Sequence, residues 1–288
     1  MEYFIVGFVF IAVLGYLVWD AKKDKEWKDI DIPMPETLRN DLLYGYYSSE
    51  VGQWEATKEH VNLFWYSHFS SWDEFLWILK NTDKTIVFDL APYLSKQEGK
   101  KKVCREDAVQ ALTDCFMSLK DHGVLHRIKY LYPIDEPSLS VKNPEEHKKM
   151  LQTVIEVRNL FDDLKDSKIA VIYLRGGESN FWNLVYHDVV GVDNYEQKSE
   201  VLTKGDYAKL KSMLQYGQTT MLVPGPAFGQ KPDPFVAYAH SNPEVEMVIP
   251  FVWFDRPQHK DVEYTGLEAA DAVFYQKWIN AGMKVMNK

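Results

Sequence analysis

The sequence predicts an α/β protein: a (β/α)8 barrel preceded by an N-terminal transmembrane helix. Three observations lead there. Eight short apolar runs recur at residues 42–47, 61–66, 85–90, 128–132, 169–174, 189–193, 220–223 and 245–253. Most are near-continuous instead of alternating, as expected of parallel strands covered on both faces. Helical patterns separate them, and residues 42–288 match the roughly 250 residues typical of such a barrel. The alternative is a doubly wound open sheet. No Gly-x-Gly-x-x-Gly follows the first strand, the Gly176-Gly177 pair follows the fifth, and no P-loop occurs. The barrel is the better reading.

The helices carry start and stop signals. Ser71-Trp-Asp-Glu74 has capping-box spacing ahead of Phe75, Leu76, Ile78 and Leu79. Asn143-Pro-Glu-Glu146 supplies an N-cap, Pro at the first helical position and Glu at the third. Its helix places Met150, Val154, Val157, Phe161 and Leu164 on one core-facing stripe. Gly123 closes a helix that begins near Arg105, and Thr265-Gly-Leu-Glu268 opens the last one. The connector 51–60 has room for two helical turns at most. Lys100, Lys101, Lys102 and Arg105 read as a solvated loop. Cys104 and Cys115 fall in a segment that reads as helical, about three turns apart, too far for a disulfide. Both read as free, buried thiols.

Ahead of the barrel, residues 1–20 read as a membrane anchor and residues 21–41 as a stalk. Tyr3 to Trp19 contains no charge, and a helix of that length is at the short end of what crosses a bilayer. Tyr3, Tyr16 and Trp19 sit where interfacial anchors belong. The start, Met1-Glu2, lacks the basic residues of a cleavable signal. The expectation is a single-pass membrane protein. Lys22, Lys23, Lys25 and Lys28 argue for a cytoplasmic barrel, whereas a glycan substrate would put it in the periplasm or outside the cell.

Composition narrows the class. A charged content of 26% and a hydrophobic content of 46% describe a globular chain. A net charge of −9 excludes sequence-independent binding to nucleic acid, which needs cations against phosphate. The histidines are scattered, with no His-x-His or His-Glu-x-x-His, so neither a metal nor a cofactor is expected. A Gly-x-Ser-x-Gly elbow is also missing.

The candidate site lies at the carboxyl ends of the strands, where barrels place their chemistry. The fourth strand runs into Asp135 and Glu136 and is stopped by Pro137. Other strand ends offer Tyr46, Tyr66, Asp89, Arg175, Asp193, Tyr195, Trp253 and Asp255 as substrate-binding residues. Rings stack on the apolar faces of sugars, and carboxylates accept hydrogen bonds from hydroxyls. The expected partner is therefore a glycan or glycoconjugate.

Tyr132-Pro-Ile-Asp-Glu-Pro137, Gly191-Val-Asp-Asn-Tyr195 and Phe251-Val-Trp253 resemble the strand ends of the (β/α)8 glycoside hydrolases. In their largest clan an Asn-Glu-Pro ends the fourth strand and a Trp ends the eighth. By that likeness Glu136 is the proton donor and Trp253 the platform. Two departures follow. Asp135 replaces the Asn, and residues 219–229, where the clan carries its nucleophilic Glu, contain no acid. Three routes stay open. The Asp-Glu pair is similar to that of enzymes cleaving 2-acetamido sugars, in which the substrate's acetamide attacks. That likeness implies that Asp135 orients the acetamide, with Tyr195 as a further contact. In an inverting pair, Asp89 or Asp193 would be the base. Lastly, the barrel binds sugars, or serves as a scaffold, without cutting them. A lyase is a weaker alternative. As an acid, Glu136 has to keep its proton near neutrality, which Asp135 beside it and burial under Trp253 and Tyr rings favour.

Overall fold

The computed structural model describes residues 28–47, 53–67, 71–176, 178–195, 197–251, 256–259, 262–264 and 272–286. Eight parallel strands form one sheet: β1 (Leu43–Tyr44), β2 (Leu63–Tyr66), β3 (Thr85–Asp89), β6 (Ile128–Tyr132), β7 (Lys168–Leu174), β8 (Val189–Asp193), β9 (Thr219–Leu222) and β10 (Val245–Val248). The order β1-β10-β9-β8-β7-β6-β3-β2 carries the sheet around to within one seam of closure. Two antiparallel hairpins are added, β4 (Ser95–Glu98) with β5 (Lys101–Cys104), and β11 (Arg256–His259) with β12 (Val262–Tyr264).

Asn62 bridges the seam between β1 and β2 with both its backbone and its side chain. Asn62 donates its backbone N–H to the Tyr44 carbonyl at 3.0 Å. Its side-chain oxygen accepts from the Tyr44 N–H at 2.6 Å, and its Nδ2 donates to the Leu42 carbonyl at 3.0 Å. Gly45 permits this approach, because a Cβ there would lie 2.4 Å from the Leu63 carbonyl oxygen. Asn62→Ala strands a buried N–H and a buried carbonyl. It is expected to lower stability by about 1–3 kcal/mol in urea unfolding. An unchanged midpoint would show that the barrel closes without this bridge.

Alternation along the strands divides the core in two. Leu63, Trp65, Val87, Tyr130, Tyr132, Ala170, Ile172, Val189, Met221, Val223, Met247 and Ile249 fill the barrel. Their neighbours, including Phe64, Tyr66, Phe88, Leu131, Val171, Tyr173, Val190 and Leu222, pack outward under the helices. The helix signals act as expected. Ser71 accepts from the Glu74 N–H and Asn143 from the Glu146 N–H, capping Trp72–Asn81 and Pro144–Arg158. Gly123 takes the left-handed conformation after Ala108–Asp121, and the stripe from Met150 to Leu164 is buried.

Three expectations are corrected. The single-pass membrane localisation is one: among the described residues no helix is long and apolar enough to cross a membrane. Tyr3 to Trp19, on which it rested, lies outside the described residues. The described part of the expected stalk runs against the barrel. The Ile30 N–H donates to Ser199, and Arg39 donates to the carbonyls of Ala239, Asn242 and Val245. Secondly, the lysine run is no open loop, because Lys101 and Lys102 belong to β5, beyond a turn at Gly99 (φ 63°). This polar ribbon gives no hydrophobic alternation to read. Thirdly, Cys104 ends β5 and only Cys115 is helical; both are free, Cys115 buried and Cys104 half-buried.

Under the helix layer His147 and His187 stack with centroids 5.5 Å apart, 0% and 2% exposed respectively. Neither Nε2 has a hydrogen-bond partner among the described residues. Burial pushes His147 down to about 4 and His187 to about 3. With native values below the unfolded value, the pair's contribution is full above about pH 6.5. It is lost as the pH falls towards 4. Between pH 7 and pH 5 the two should together remove about 4 kcal/mol, at 1.36 kcal/mol per unit for each. The double variant His147→Gln, His187→Gln should lose correspondingly less in paired urea titrations. Parallel losses in both proteins would exclude the histidines as the cause.

Candidate active site

At the carboxyl end of β6 the chain passes Pro133 and buried Ile134, then turns sharply. Glu136 sits at φ 40°, ψ 66°, left-handed geometry that costs a non-glycine residue roughly 1–2 kcal/mol. The surroundings hold it there. Its N–H donates to the Ile172 carbonyl of β7 at 3.1 Å. Its own carbonyl accepts from the Leu139 and Ser140 N–H groups at 2.9 Å each and from Ser140 Oγ at 3.0 Å. Pro137 then starts the short helix Pro137–Ser140. Such strain at a residue projecting from a strand end marks a site worth testing for function.

The neighbouring carboxyl is held by tyrosines. Tyr132 donates its hydroxyl to Asp135 Oδ1 at 2.6 Å, and the Tyr47 hydroxyl also hydrogen-bonds this side chain. Burial, and then the Glu136 carboxylate, push Asp135 up to about 6, while the two hydroxyls restrain the rise. Burial and the negative charge of Asp135 lift both tyrosines far above the ordinary range, so they remain donors. Asp193, at the end of β8, lies in hydrogen-bonding contact with Glu136. Burial, that contact and the nearby Asp135 drive Asp193 well above the usual carboxylate range. Asp89, at the end of β3, accepts from the Ala91 N–H at 2.9 Å and adds negative charge beside Asp135.

Aromatic rings line the same mouth. Trp65 meets Tyr132 at 4.6 Å and Tyr47 at 4.8 Å, and Tyr47 meets Phe251 at 5.6 Å. Tyr195 is stacked between Phe228 at 4.7 Å and Phe251 at 5.5 Å, with interplanar angles of 15° and 9°. Phe228 is exposed and Tyr47, Tyr195 and Phe251 are half-buried, whereas Trp65 and Tyr132 are buried.

The expected residues divide into four groups. Asp135, Glu136, Asp89, Asp193 and Tyr195 come together. Tyr46 and Tyr66 do not. Tyr46 is buried against Tyr44 and His60, and Tyr66 stacks on Phe75 at 3.8 Å beneath the helices. Their chain neighbours Tyr47 and Trp65 face the barrel in their place. Arg175 lies exposed just past β7. Trp253 and Asp255 lie outside the described residues, and β10 ends at Val248, short of the expected 253. Tyr47, Trp65, Tyr132, Phe228 and Phe251 stand at the same strand ends without being among the expected substrate-binding residues. Strand alternation is the signal that finds Trp65, once the inward parity of β2 is known.

The sequence matches no protein-family model and none of the curated proteins. Solved structures do match. A β-glucuronidase from Faecalibacterium prausnitzii aligns with a TM-score of 0.61 at 12% identity, over 86% of this chain and 49% of that one. One from an uncultured Clostridium sp. gives 0.59 at 12% identity, over 86% and 53%. The fold shared with them is the (β/α)8 barrel. A Ruminococcus gnavus β-glucuronidase, solved with D-glucuronic acid, gives 0.52 at 12% identity, over 86% and 52%. This barrel spans about half the length of those enzymes, and at such identity the likeness is one of fold.

Proposed function

We propose that the barrel mouth cleaves the glycosidic bond of a 2-acetamido sugar, with Glu136 as general acid and Asp135 orienting the acetamide. The observation that carries this reading is the division of labour among the carboxyls. Asp135, fixed by two tyrosine hydroxyls, is ionised above about pH 6. Asp193, beside Glu136, is driven well above the usual carboxylate range, which favours its protonated form. Residues 219–229 offer no acid for a covalent intermediate.

In the proposed reaction the acetamide oxygen attacks the anomeric carbon as the bond to the leaving oxygen breaks. Glu136 gives its proton to that oxygen. Asp135 holds the acetamide N–H and balances the positive charge that builds there. Water then opens the cyclic intermediate, returning its proton to Glu136. Tyr195 supplies a further contact to the acetamide, and the rings stacked on it, Phe228 and Phe251, offer apolar faces to the sugar.

The second reading is a barrel that binds glycans without cutting them, favoured by the missing acid after β9. The test is a hydrolysis screen with aryl glycosides bearing and lacking a 2-acetamido group. The solved neighbours make aryl β-glucuronides worth including. Turnover confined to acetamido sugars supports the first reading. Glycan binding without turnover of any substrate supports the second.

A further inference from the structure

We propose that Gln230 is the positioning residue of the mouth. Its amide locks the loop after β8 to the loop after β9, holding Tyr195 in its stack and Asp193 beside Glu136. Gln230 is 1% exposed, so water cannot stand in for its partners. Its Oε1 accepts from the Gly225 N–H, in the loop after β9, at 2.7 Å. Its Nε2 donates to the carbonyls of Tyr195 at 3.0 Å, Asn194 at 3.3 Å and Lys198 at 3.4 Å, all in the loop after β8. One N–H faces the amide on one side and three carbonyls on the other, so the orientation of the group is unambiguous.

Only an amide side chain supplies both the acceptor and the donors used at this position. Glutamate keeps the acceptor and loses both donors, and leucine loses everything. What the clamp holds together is tight. A Cβ on Gly225 would lie 2.4 Å from the Tyr195 ring, so this backbone stretch serves as a wall of the aromatic stack. Lys198 turns back towards the amide with φ 44°. Asn194 extends the network by donating to Asp206 at 2.6 Å, and the same Asp206 oxygen accepts from the Gly176 N–H after β7 at 3.2 Å. Gln230 and Asp206 together tie the ends of β7, β8 and β9 to one another. Asp193 and Tyr195 flank the clamped Asn194. The inference relies on the proposed function only in treating the mouth as a sugar site.

The test compares Gln230→Leu and Gln230→Glu with Phe235→Leu in the full chain. Phe235 is buried beside Gln230 in the same small cavity, and shortening it weakens the core without touching the amide. Carbon-13 NMR of carboxyl groups and proton NMR of tyrosine rings need no substrate, so the result is independent of whether the barrel hydrolyses anything. Both Gln230 variants should shift the Tyr195 ring resonances towards those of free tyrosine and lower the titration midpoint of Asp193. Phe235→Leu should leave both signals in place at equal loss of thermal stability. If the Gln230 variants keep wild-type signals, or if Phe235→Leu moves them equally, Gln230 is an ordinary core residue. Should neither Gln230 variant fold, a Tyr195 signal in Phe235→Leu that loosens with falling stability would overturn the assignment. A signal that holds until global unfolding would support it.

Discussion

Glu136→Gln is expected to lower kcat/KM for aryl 2-acetamido glycosides by about 10²–10⁴-fold, the usual contribution of a positioned acid. The protein should remain folded. Glutamine has nearly the same shape, and the bonds that hold position 136 in its left-handed geometry are made by backbone groups and Ser140, not by the carboxyl. The loss should depend on the leaving group. A good leaving group departs without a proton and should lose little, whereas a poor one should lose the full factor. A uniform loss would point to a binding role. A second readout is internal to the site: with the Glu136 carboxyl gone, Asp193 loses the contact that helps raise it and should titrate nearer the ordinary carboxylate range.

The barrel was legible because its strands are continuous apolar runs at regular spacing. Their parallel pairing demands burial on both faces, which writes hydrophobicity into most positions. Ile128–Tyr132 and Val189–Asp193 have the bounds expected of them. That same property hides the direction in which each side chain points. Tyr46 and Tyr47, or Trp65 and Tyr66, are equally apolar neighbours, and one step of register exchanges core for site. The register is fixed by cross-strand contacts such as Asn62 with Tyr44, which are far from local. The acids were easier, because a carboxylate ending a strand has few places to go except the mouth. The hairpin from Ser95 to Cys104 left no trace, being polar on both faces. Gln230 could not be singled out either. Its role depends on three carbonyls 32 to 36 residues away.

Asp135→Asn is expected to reduce turnover of acetamido sugars by about 10²–10³-fold, comparable to removing one preorganised stabiliser of transition-state charge. The wild-type rate should rise with pH along a limb centred near 6, because only the ionised carboxylate can accept the acetamide N–H. That limb should vanish in the Asn variant. Tyr132→Phe should move it upwards, since the lost hydroxyl helps to hold Asp135 in its charged form. A limb that stays in place in both variants would assign the titration to another group. The sign of the stability change separates this role from a structural one. With its native value above the unfolded 3.8, Asp135 binds more protons folded than unfolded between about pH 3.8 and 6. Its contribution to stability is present at low pH and lost as the pH rises through about 6. At pH 7 the charge is therefore a burden on the folded state, and Asp135→Asn should unfold at higher urea than wild type. A residue kept for packing would lose stability when replaced. Gaining stability while losing turnover is the behaviour of a carboxylate held against its own solvation for the reaction.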